Sequence, residues 1–237
     1  MNDITICVKA FERIDAVSRL LESINKYYGE LYTVLIGDDS AEDYSSYFTN
    51  FNNVKYYKLP YDVGISAGRN FLVSKVKTKY FIICDDDFIF TKDTNIEKMK
   101  LLLEKYDLDI LGGRYNNTHK KDAVGKNFEF ENNMMYIRAL KTFDKEVILC
   151  DMVPNFFIAK TTKVNNLKWD EELKILEHSD FFIRAKNTGF KVGYCNDIYV
   201  IHDRITSIEY NKMRNDRAKY FKKKMCEKYN LTNYKFI

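Results

Sequence analysis

Apolar residues along this chain come in short runs that stop at charged or polar residues. Residues 4–8 run apolar into Lys9, and residues 33–36 close on Gly37-Asp38-Asp39-Ser40. In residues 80–90, five apolar or aromatic residues lead into Asp85-Asp86-Asp87, and a second apolar triplet follows. Runs of this length, with β-branched and aromatic residues, read as buried strands of a parallel sheet. Helical spacing fills the intervals. Val17, Leu20, Leu21 and Ile24 share a face over residues 16–28, with Asp15 as the expected N-cap and Gly29 as the stop. A helix is expected over 71–76 and another over 96–106. Strand–helix alternation of this kind predicts an α/β fold with right-handed crossovers and helices on both faces of a mostly parallel sheet.

The second half of the chain is less regular. A mixed strand at 54–59 precedes the helix at 71–76. Strands are expected at 109–113 and 153–159, and a short helix at 161–167. Residues 115–135 are polar and read as a mobile loop or hairpin that could fold over a ligand as a lid. Residues 136–148 read as β-like and amphipathic. A helix beginning near Glu177 ends at Gly189. Strand-like runs at 191–195 and 198–201 follow, and His202 succeeds the second. From 207 the chain is basic and helical, with lysines and arginines interleaved with Tyr210, Tyr220, Phe221 and Met225. The expected organisation is one domain over 1–205 and a basic amphipathic helical tail over 206–237. Such a tail either packs on the domain with its lysines in water or lies on an anionic membrane surface.

The chemistry concentrates where the runs end. Three adjacent carboxylates repel one another and cannot be buried unpaired. Hard oxygen donors suit Mg²⁺ or Mn²⁺, and open α/β sheets bind ligands at the carboxyl ends of their strands. A divalent-metal site at the mouth of the sheet is therefore expected; the plain alternative is an acidic loop facing water. The stretch 62–70 places Gly64, Gly68 and Arg69 before a helix, which suits phosphate binding or an ordinary helix entry. Glu177 and Asp180, three apart, share a helical face near an N-terminus that favours negative charge.

With 237 residues, nearly half of them hydrophobic, the chain can bury one sizeable core. A net charge of +4 is too small to argue for nucleic acid. The five cysteines show no disulfide framework or zinc spacing, and Cys7 and Cys84 fall in apolar runs as small core residues. No stretch has the apolar length of a membrane span, and the first strand begins too early for a signal peptide. A reduced, cytoplasmic location is expected, with contact at the inner face of a membrane if the tail binds lipid.

In order along residues 4–203, the stretches ITICVKAFERIDAVSRLLESI, VLIGDDS, GISAGRNFLVSKVKTKYFIICDDDFIFTK, LDILGG, VPNFFIAKTTKV, EHSDFFIRAKNTGFKVGYC and IHD resemble the GT-A glycosyltransferases. Within that group they resemble family 2 enzymes and most of all the β-1,4-N-acetylgalactosaminyltransferases of the ganglioside GM2 synthase type. The resemblance implies a UDP-sugar donor, a glycan acceptor, Mn²⁺ or Mg²⁺, and inversion at the anomeric carbon. It implies that Lys9, Phe11 and Arg13 embrace the nucleotide and that Asp39 contacts the base. Gly68, Arg69 and Asp86 would join the nucleotide-sugar site, Asp85 would contact ribose or metal, Asp87 would bind metal, and His202 would complete the metal shell. The general base stays open among Glu177, His178 and Asp180, because His178 stands where many inverting relatives have the catalytic aspartate. A nucleotidyltransferase would carry a glycine-rich loop after the first strand, which residues 9–13 lack. A non-catalytic binding module would need no base cluster.

Overall fold

The computed structural model describes residues 3–117, 122–204 and 208–237. The elements in chain order are β1 (Ile4–Ala10), α1 (Ile14–Tyr28), β2 (Thr33–Asp38), β3 (Val54–Lys58), α2 (Ile65–Lys75), β4 (Tyr80–Asp85), β5 (Phe88–Ile89), α3 (Ile96–Lys105), β6 (Ile110–Asn117), β7 (Lys126–Glu131), β8 (Met134–Ala139), β9 (Ile148–Leu149), β10 (Phe157–Lys160), α4 (Thr161–Leu167), α5 (Glu177–Asn187), β11 (Val192–His202), α6 (Ile208–Lys228) and β12 (Asn233–Phe236).

The main sheet runs β3-β2-β1-β4-β10-β6-β11-β5, with β9 against β11. β3, β2, β1 and β4 are mutually parallel, as are β6 and β11. β10 is antiparallel to both neighbours. Both faces of the sheet are covered, which is why its strands read as continuous apolar runs. Ile4, Ile6, Val8 and Ile82 pack with Val17 and Leu20 of α1 and Met99 and Leu103 of α3. Cys7, Phe81 and Ile83 point the other way, to Leu72 of α2, Val164 of α4 and Phe181 and Phe182 of α5. The chain runs outward through β1, β2 and β3, then returns to lay β4 on the other side of β1. Strand order reverses there, and the carboxyl ends of β1 and β4 leave a crevice.

Several boundaries differ from the sequence expectation. β1 continues to Ala10, so Lys9 is a strand residue paired with Asp85. α1 begins at Ile14, and Asp15 sits in its first turn without capping it. α2 begins at Ile65, well before residue 71, so AGRN is helical. Gly68 costs the helix about 1 kcal/mol against alanine, but a Cβ there would lie 2.5 Å from Lys9 Cδ. The glycine makes room for a neighbour and does not mark a loop. Residues 153–156 precede β10 and are not strand. The expected loop at 115–135 contains the end of β6 and all of β7, which forms a hairpin with β8; residues 118–121 lie outside the described residues. β11 is a single strand whose register against β6 shifts between Tyr194 and Tyr199.

The C-terminal segment is only partly helical, because it returns as β12. That strand pairs parallel with β8 and makes a second sheet, β12-β8-β7. Met225 and Phe221 of α6 are buried, and Tyr229 Oη donates to Asp180 Oδ1 at 2.7 Å. Among the described residues no helix is long and apolar enough to cross a membrane.

Candidate active site

At the crevice, Asp39 after β2 and the aspartates at the end of β4 each meet a basic group. From β1 and β2 come Lys9 and Asp39, which form an ion pair while Asp39 Oδ2 also accepts from Gly64 N at 2.9 Å. Burial lowers the Lys9 ammonium pKa, and Asp39 opposes that shift. Phe11 lies beneath this lysine, 5.6 Å from Nζ to ring centroid, and its ring is 5.8 Å from that of the exposed Tyr61. A flat base could be held against this aromatic pair.

β4 ends in the aspartate triplet, and its three side chains diverge. Asp85 accepts from Arg69 Nη2 at 3.1 Å and from Asn155 Nδ2 at 3.2 Å. Arg69 is only 2 % exposed, so it acts from behind the cleft wall, its other arm 3.3 Å from Glu177 Oε1. Asp86 is buried and salt-bridged to Arg13. Burial pushes its pKa up to about 7; Arg13 opposes the shift, and the Asp87 and Asp85 charges add to it. Asp87 is different. Burial disfavours its charge, but the hydrogen bond from His202 and the charge of Arg13 outweigh burial and hold its carboxyl below the usual range. Asp87 Oδ2 lies 2.8 Å from Arg13 Nη1 and 3.2 Å from His202 Nε2. The rings of Phe88 and Tyr115 pack edge-on to His202 and fix its plane.

The three candidates for the base separate clearly. Glu177 opens α5 and lines the cleft. Leu176 before it has φ 70°, a left-handed conformation that is costly for a branched side chain and is often kept at functional sites. His178 turns away from the cleft: its Nε2 donates to the Val153 carbonyl at 2.6 Å. Burial, with the nearby Arg69 charge, depresses its pKa to about 3. A histidine so acidified and so tied is a poor proton acceptor. Asp180 is fully buried and saturated by Arg184 Nε at 2.8 Å, Tyr229 Oη and Lys228 Nζ. It anchors the C-terminal segment and does not line the cleft. Gly68 does not line it either, lying against the Lys9 stem.

Several cleft residues went unremarked in the sequence. Asp62 is gripped by both arms of Arg217, at 2.9 and 3.1 Å, and by Lys174. Arg204 and Tyr115 complete the rim. Asn155 had a signal, since it follows one of only two prolines inside the VPN stretch. Arg217 had none, because nothing local distinguishes it from the other basic residues of α6.

Among the described residues no three metal-binding side chains gather closely enough to hold an ion by themselves. Asp87 and His202 do converge, as a carboxylate and imidazole pair that suits Mn²⁺, with further positions left to water and ligand oxygens. Asp85, expected as a second ligand, instead gives its oxygens to Arg69 and Asn155.

A crevice at the reversal point of a mixed α/β sheet, edged by strand-end aspartates, is the arrangement of the GT-A fold of glycosyltransferases. Glycosyl transferase family 2 matches residues 5–173, and the chain belongs to that family. The mouse protein "Beta-1,4 N-acetylgalactosaminyltransferase 1" is 36% identical over 212 residues, covering 84% of this chain and 38% of that protein. Mouse "Beta-1,4 N-acetylgalactosaminyltransferase 2" is 33% identical over 216 residues, 85% of this chain and 39% of the relative. The chain therefore spans about two fifths of the length of these relatives. Among solved structures, S. aureus TarS 1-349 in complex with UDP-GlcNAc superposes with a TM-score of 0.67 at 16% identity, over 87% of this chain and 60% of that one. The same protein in complex with UDP gives 0.65 at 18% identity, over 90% of this chain and 64% of that one.

Proposed function

We propose that this chain transfers a sugar from a UDP-sugar to a glycan hydroxyl, with inversion and with help from a divalent cation. The observation that carries the reading is the Asp87–His202 pair beside Lys9, Asp39 and Asp85 at the strand ends of a family 2 chain. Asp39 and the Phe11–Tyr61 rings would hold the base. Asp85, oriented by Arg69 and Asn155, would hold the ribose. Asp87 and His202 would hold Mn²⁺ or Mg²⁺, which when bound supplies positive charge against the departing diphosphate. Arg204 and Arg217 on the rim would add to that field.

Glu177 is the base in this scheme. It lines the cleft, whereas His178 and Asp180 are committed elsewhere. Glu177 takes the proton of the acceptor hydroxyl. The oxygen attacks the anomeric carbon from the face opposite the diphosphate, and UDP leaves with the bonding electron pair. An α-linked donor yields a β product. The named activity of the mouse relatives favours GalNAc as the sugar. A surface polysaccharide or lipooligosaccharide is the acceptor class proposed, and the basic face of α6 would bring the protein to the membrane where such glycans are made.

A panel of UDP-sugars incubated with the protein and Mn²⁺ or Mg²⁺, with and without EDTA, tests this. Slow UDP release from one donor, lost with EDTA, is the expected result. Pyrophosphate release in a parallel reaction with UTP and a sugar 1-phosphate would point to nucleotidyl transfer instead. No metal-dependent UDP binding by calorimetry would sink the nucleotide-sugar reading.

A further inference from the structure

Arg13 sits where a metal would have to compete with it. Its fork spans two neighbouring carboxylates: Nη1 lies 2.8 Å from Asp87 Oδ2, and Nη2 is hydrogen-bonded to Asp86 Oδ1. The Asp87 oxygen it takes is the same one that faces His202 Nε2 at 3.2 Å. We propose that Arg13 is an exchangeable counter-ion for the metal position. It neutralises Asp87 when no metal is bound, and yields that oxygen when a divalent cation enters together with the diphosphate. The proposal rests on the metal-dependent reading above.

Three observations support it. First, the two arms of the fork have unequal anchorage. Asp86 is 1 % exposed, and its second oxygen has no hydrogen-bond partner among the described residues. Removing its one guanidinium partner would strand a buried carboxylate, so the Asp86 arm is the natural pivot. Asp87 has a second partner in His202, so its arm can leave at lower cost. Second, the backbone beneath Arg13 is fixed. Glu12 is held at φ 53° by Ser40 Oγ on its amide at 2.6 Å and by its carboxylate accepting from Ala41 N at 2.7 Å. The exchange is therefore a side-chain rotation and needs no loop refolding. Third, a guanidinium pairs with a phosphate in the same two-pronged geometry it uses on carboxylates. The diphosphate that brings the cation also offers Arg13 its replacement anion.

The consequence is coupling. Metal alone must displace Arg13 without bringing it a replacement anion, and nucleotide alone meets a field of carboxylates. Together each removes the other's cost, so each should raise the other's affinity by the same factor.

The test is Mn²⁺ binding followed by the electron paramagnetic resonance of the free ion, with and without UDP, in the wild type and in Arg13→Gln. The variant should bind Mn²⁺ alone about tenfold more tightly, since a positive competitor is gone. The gain that UDP confers on Mn²⁺ affinity should shrink in the variant. Equal or weaker Mn²⁺ binding by the variant, with the UDP effect intact, overturns the counter-ion role and leaves the metal reading standing. No Mn²⁺ binding by either protein even with UDP overturns both. Thermal melts establish that the variant is folded. Should it not be, Arg13→Lys reaches only one carboxylate at a time and is expected to shift Mn²⁺ affinity in the same direction by less; no shift with lysine also overturns the proposal.

Discussion

Glu177, His178 and Asp180 lie within one helical turn, yet they meet three different surroundings. Replacing Glu177 with Gln should cut transfer by about 10²–10⁴-fold, the range for losing a general base, while UDP affinity by calorimetry stays unchanged. Asp180→Asn should act on stability instead. It disrupts a buried carboxylate network and should cost about 3–5 kcal/mol in urea denaturation. His178 leaves a pH signature. Its depressed pKa means that the unfolded chain binds a proton there before the folded one does. Its contribution to stability is complete above the unfolded histidine pKa near 6.5 and is lost as pH falls toward about 3. The slope is about 1.4 kcal/mol per pH unit, and His178→Asn should remove it from urea midpoints measured between pH 6 and 4.5. Residue types alone marked these three as candidates for the base. Which one faces the cleft depends on Val153 and Tyr229, far away in the chain, and no local pattern carries that.

Elements were legible where burial is two-sided. β1, β2 and β4 announced themselves as apolar runs ending in charge, and the parallel order followed from the helices between them. The reading failed where one residue served a distant neighbour. Gly68 looked like a loop and lies within α2, where the Lys9 side chain passes too close to leave room for a Cβ. The segment 153–156 looked like strand and is instead a connection that turns Asn155 toward Asp85. Gly112 of β6 keeps that connection in place: a Cβ there would come within 2.3 Å of Val153 Cβ, an atom with little freedom to move. Gly112→Ala should destabilise the protein by about 1–3 kcal/mol. It should also weaken UDP binding, because Asn155 shifts with Val153; calorimetry on the folded variant checks this.

For the molecule as a whole, the cleft is a balance of opposite charges. Lys9, Arg13, Arg69 and Arg217 each answer an aspartate. Asp87→Asn removes one charge from that balance at the proposed metal position. Activity should fall to background at any Mn²⁺ concentration while the melting temperature stays close to wild type; retained activity with added metal would refute the assignment. The C-terminal segment belongs to the same balance, since Arg217 reaches the cleft from α6. Its seat depends on Met225, fully buried beside β8 and α5 residues. Met225→Ala should cost about 2–5 kcal/mol, read from urea midpoints.

The pairing of β12 with β8 also has a bearing on the order of assembly. On the ribosome, β7 and β8 emerge as a lone hairpin, and a two-stranded hairpin is marginal in water. Asn233, which registers with Met134, is made some hundred residues later. Until then Met135 and Ile137 lack the cover that α6 and β12 provide. Some hundred further residues must be translated before the small sheet closes, and a nascent chain stalled before α6 would present that hydrophobic hairpin to chaperones.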